Sequence, residues 1–93
     1  MRVLLLEVEF LLPGARSLKD KRRVIRSLKD RLANRFNAAV AETEFMEQWG
    51  RGAIGMAMVS NDGGYLQQQM DKAVSLIESE PEINLLKIDR ESL

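Results

Sequence analysis

The chain contains no cysteine and no histidine. Without cysteine there is no disulfide and no thiolate metal site, and the composition fits a reducing compartment. Without histidine the chain lacks the side chain most often used as a general base or metal ligand near neutral pH. Long apolar runs are missing as well. The opening stretch MRVLLLEVEFLL is interrupted by Glu7 and Glu9, and no small-residue cleavage site follows. It is too short and too charged for a bilayer span or a signal peptide. A cytoplasmic protein with no membrane contact is expected, and the residues call for no metal or cofactor.

What is present is ordinary in amount and unusual in placement. Ninety-three residues, 45% apolar and 30% charged, make one domain over 1–93. A chain of this size buries roughly 60–65% of the surface exposed when unfolded, enough for one modest core. Its formal net charge is zero. Yet nine of its fourteen basic side chains lie between Arg16 and Arg35, where only Asp20 and Asp30 oppose them. That stretch carries +7 and the rest of the chain −7. Such polarisation can mark a surface for an anionic partner.

The hydrophobic pattern predicts six elements. Arg2 to Leu12 reads as a strand ending at Pro13-Gly14, with Leu4, Leu6, Val8, Phe10 and Leu12 facing the core. Ser17 to Phe36 reads as a helix. Ser17 is the N-cap, Asp20 completes the capping signal, and Asn37 is the expected C-cap. Leu18, Ile25, Leu28, Leu32 and Phe36, with Val24 at the edge, form its apolar stripe. Lys19, Arg23 and Arg26 fall opposite that stripe, flanked by Arg22 and Lys29. Lys21 lies near the stripe and is expected to snorkel.

Strands are predicted over Ala38–Phe45, Ala53–Ser60 and Ile83–Arg90. A loop from Met46 to Gly52 carries Trp49. A second helix is predicted over Tyr65–Ser79, with Leu66, Met70, Ala73, Val74 and Ile77 inward; Pro81 prevents its continuation. The order β-α-β-β-α-β is that of the α+β ferredoxin-like fold: a four-stranded antiparallel sheet, strand order 4-1-3-2, with two helices on one face.

The segment PGARSLKDKRRVIRSLKDRLANRFN, followed by VAE, resembles the YlxP-like family of small bacterial proteins of unknown function. The likeness runs along essentially the whole chain, through the Trp49 loop, the VSND turn and the EPE start of the last strand. It implies the same ferredoxin-like fold. It also implies, by the association of such genes with translation and ribosome maturation, a setting near RNA or the ribosome. The family pattern has Gln after the loop tryptophan; this chain has Gly50.

Five features carry possible chemistry, each with a plainer alternative. The basic helix face, Lys19, Arg22, Arg23, Arg26 and Lys29, suits phosphate contacts; the alternative is a solvated face with surface ion pairs. The Pro13–Ser17 loop brings Arg16 to a helix start, where an anion is favoured; the alternative is simple capping and turning. Acyl phosphates held there by Arg16 and backbone N–H groups are a remote hydrolase reading. Glu7, Glu9, Glu42 and Glu44 are expected on the open sheet face if their strands share parity. A whole strand would separate the two pairs, so solubility is their expected role. Trp49 is either a stacking or partner contact or a cover over the core. Val3, Leu5 and Leu11 make a partial apolar patch that could pair two subunits.

The expected function is a non-enzymatic binding module for RNA or a ribonucleoprotein. It would use Lys19, Arg22, Arg23, Arg26 and Lys29, with Arg16 at the helix start and Trp49 as a stacking contact. The alternative is a protein-interaction or homodimerising module in which the basic helix meets an acidic partner.

Overall fold

A computed structural model describes residues 1–93. The elements are β1 (Arg2–Leu11), α1 (Leu18–Arg35), β2 (Ala38–Glu44), β3 (Arg51–Ser60), α2 (Gly63–Glu78) and β4 (Asn84–Ser92). The strands form one antiparallel sheet in the order β2-β3-β1-β4, which is the predicted 4-1-3-2 order.

Alternation in β1 sets the two faces of the sheet. Leu4, Leu6, Val8 and Phe10 are buried, and Leu12 beyond them is too. They meet Val24, Ile25, Leu28 and Leu32 of α1 and Leu66, Met70, Ala73, Leu76 and Ile77 of α2, so both helices cover the same face. Leu76 takes the inward place expected for Val74, which is only partly buried at the rim.

Local chemistry explains the element ends. Ser17 Oγ accepts from the Asp20 amide at 3.1 Å, starting α1 as its capping signal predicts. The helix stops one residue earlier than expected. Phe36, not Asn37, is the C-cap; it turns extended and buries its ring in the core. Asp62 Oδ1 accepts from the Tyr65 amide at 3.1 Å, so α2 starts at Gly63 rather than Tyr65 and takes both glycines into its first turn. β3 begins at Arg51 rather than Ala53, because Gly52 pairs with Phe10. A Cβ at position 52 would come within 2.9 Å of the Phe10 ring, so only glycine allows that approach.

Candidate nucleic-acid interface

The nine cations of the basic stretch separate into two groups: Lys21, Arg23 and Arg31 have a carboxylate partner and the other six do not. At about 100° per residue, Lys19, Arg22, Arg26 and Lys29 fall within an arc of about 80°, along roughly 15 Å of axis. No carboxylate lies within ion-pairing distance of any of the four, nor of the side chains of Arg16 and Arg35. Lys19, Arg22 and Arg26 are exposed and Lys29 is half-buried. Lys19, Arg22 and Arg26, together with Arg23 and Arg31, line a depression that contains no apolar residue; Asp20 and Asp30 are its only acids.

The other flank of α1 is matched. Arg23 pairs with Glu82 at 3.2 Å, and Arg31 pairs with Glu80. Both acids belong to the turn between α2 and β4. Arg23, expected with the free cations, is therefore already engaged. Its pair is open to water on both sides and holds the arginine only loosely.

Lys21 does not snorkel. It is 1% exposed, and its ammonium donates to the backbone carbonyls of Phe45 (2.5 Å) and Gln48 (2.6 Å), with Glu42 Oε2 at 3.0 Å. The Glu42 contact is an ion pair by distance and not a directed hydrogen bond. A buried ammonium must satisfy its three protons or lose its charge. The β2–β3 loop supplies two carbonyls and β2 the carboxylate. The signal in the sequence was a lysine set inside an apolar stripe; its partners are 21 to 27 positions away and have no local signature.

This clamp fixes the loop that carries Trp49. Phe45 has φ 61°, an uncommon conformation for a non-glycine residue, which fits a carbonyl turned toward Lys21. The Gln48 amide closes the turn on Phe45 O at 3.0 Å, and Gly50 O accepts from the Leu12 amide at 2.9 Å. Trp49 sits between these anchors and is 51% exposed, so it does not cover the core. Because Arg51 pairs with Leu11, this loop lies at the end of the sheet where β1 exits toward Arg16 and α1 begins.

The remaining expected features fall elsewhere. The four glutamates do not gather. Glu7 and Glu9 occupy the open face, but Glu42 turns to the helix side to meet Lys21, and a bulge between Glu42 and Glu44 sets Glu44 opposite Ala53. Glu9 pairs with Arg51 at 3.0 Å, and the Arg51 guanidinium lies 4.2 Å above the Phe45 ring. Glu7 accepts from Thr43 Oγ1 at 2.7 Å across Gly55, where a Cβ would come within 2.6 Å of the threonine methyl. At the start of α1, Asp20 accepts from the Arg16 amide at 3.0 Å, so an anion arriving there would meet a carboxylate. No group of three acidic side chains is close enough to hold a metal ion, and no helix is long and apolar enough to cross a membrane.

The family model described as "Protein of unknown function (DUF503)" matches residues 3–90. The chain belongs to the DUF503 family. Over 77 residues it is 32% identical to the uncharacterized protein YlxP of Bacillus subtilis (strain 168), covering 83% of this chain and 84% of that one. Among solved structures it resembles the de novo designed protein Foldit4, with a TM-score of 0.58, 9% identity, and coverage of 100% and 97% of the two chains. It also resembles the designed protein LFR1 1 with ferredoxin fold, with a TM-score of 0.53, 13% identity, and coverage of 99% and 85%. At such identities the likeness is one of fold, and it establishes the ferredoxin-like architecture.

Proposed function

We propose that this DUF503 protein is a non-enzymatic binding module for RNA or a ribonucleoprotein, acting through the outward face of α1. One observation carries the reading: Lys19, Arg22, Arg26 and Lys29 stand in one stripe with no carboxylate partner. Arg16, exposed just before the helix start, adds an unpaired cation, and Arg23 joins when its exposed pair with Glu82 opens. Phosphates are the complement such a stripe fits: they accept charge-assisted hydrogen bonds from both lysine and arginine, and each contact releases counterions. Phosphate contacts position a strand without reading its bases. The open sheet face is a poor alternative for RNA, because Glu7, Asp89 and Glu91 stand on it.

Changing Lys19, Arg22, Arg26 and Lys29 together to Glu tests the reading. The variant is expected to fold and to lose retention of purified total RNA. Unchanged retention would remove the proposal. An acidic protein would meet the same four cations; capture of a partner that survives ribonuclease treatment and is lost in the variant would favour that reading instead.

A further inference from the structure

We propose that the end of the molecule carrying the β2–β3 loop receives one unpaired base of a nucleic-acid strand, stacked on Trp49. The flanking phosphates would meet Lys19 and Arg22 in the first turns of α1 and Arg16 just before it. The inference rests on the RNA-binding reading and narrows it from RNA in general to strands with an exposed base.

Trp49 is half-exposed, yet the backbone on either side of it is tied down. Gln48 is bound to the buried Lys21 ammonium and Gly50 to the Leu12 amide. The indole is thus presented from a fixed backbone, which lowers the ordering cost of binding. The clamp holds the loop against the first turns of α1, at the end of the molecule where Arg16, Lys19 and Arg22 also lie; Arg22 points about 100° further round the helix than Lys21. The platform has no competitor at this end. Phe45 is half-buried with Arg51 over its ring, and Tyr65 opens α2 at the opposite end of the sheet.

Backbone charge and a base-sized π surface together are what single-strand binding requires. A duplex buries the faces of its bases against one another and leaves only its phosphates for such a site. The site therefore distinguishes single-stranded, bulged or end-frayed strands from blunt duplexes without reading sequence.

Trp49 is the chain's only tryptophan, so its fluorescence reports this site alone. The probes are a uridine oligonucleotide of about twelve nucleotides, within the span a single small domain covers, and a blunt duplex of the same length. The single strand is expected to change Trp49 emission saturably and the duplex to leave it unchanged. Trp49→Ala is expected to weaken single-strand binding about 5- to 140-fold and duplex binding less than about twofold. Trp49→Phe should recover part of that loss. Position 49 is exposed, so both variants should keep the fold, checked by their melting curves. Single-strand binding with unchanged emission, or equal weakening of both probes by Trp49→Ala, would overturn this inference and leave the RNA reading standing. If neither probe binds the wild-type chain, both fall.

Discussion

Lys21 and Arg22 are chain neighbours with the same charge, and they do opposite work. Lys21 points between helix and sheet, loses its water and holds a loop by two carbonyls and a carboxylate. Arg22, about 100° further round the helix, points outward and has no carboxylate partner. Between these extremes stand Arg31, paired with the largely buried Glu80, and Arg23, paired with the exposed Glu82. The positive charge of α1 is thus graded around its circumference, from structural to unmatched. Charge count alone hides this; what matters is how much water each cation keeps and what faces it.

The gradient makes ordered predictions, each measured by denaturant unfolding. Lys21→Met should cost the most, about 2–3 kcal/mol. Breaking a buried ion pair costs 3–5 kcal/mol, and Glu42 retains some water to soften the loss. The same variant should loosen the loop and raise hydrogen exchange at Gln48 and Leu12. A loss below about 0.5 kcal/mol would mean the clamp is not structural. Arg31→Ala should cost about 1 kcal/mol, because Glu80 is 9% exposed and keeps only one other donor, the Glu82 amide. Arg23→Ala should cost no more than about 0.5 kcal/mol, as for an exposed pair. Arg22→Ala should leave stability unchanged within about 0.5 kcal/mol, since it disturbs no partner in the fold. If Arg22→Ala costs as much as Arg31→Ala, the gradient is wrong and the outward stripe has a structural role.

The fold was legible in the sequence because its signals are local. Alternation in β1 named every core position of that strand, and the helical stripe of α1 named its buried apolar residues but not the buried Lys21. Ser17 and Asp20 marked the start of α1. The functional gradient was only half legible. The wheel separates Lys19, Arg22, Arg26 and Lys29 from the core, but it cannot say that Glu82 returns to Arg23 or Glu80 to Arg31. Those partners are 59 and 49 positions away. The phase of β2 was unreadable for a different reason: AAVAETE has small residues on both faces, so nothing in it chooses where Glu42 points. The surrounding contacts choose, by giving Lys21 a carboxylate. Trp49 was undecided because an indole in a loop packs as readily inward as outward, and only the two anchors beside it settle its exposure.

The central claim is that the unmatched cations meet phosphates, whereas Lys21 and Arg31, held by Glu42 and the largely buried Glu80, do not. The most direct measurement is the slope of log affinity for RNA against log salt, taken for single alanine substitutions around the helix. Four phosphate contacts predict a wild-type slope of about −2.8 to −3.6, and an affinity that falls roughly 50- to 150-fold between about 50 and 200 mM salt. Removing Lys19, Arg22, Arg26 or Lys29 should each make the slope shallower by about 0.7–0.9, while removing Arg31 should leave it unchanged. A slope equally insensitive to all five substitutions would contradict the account.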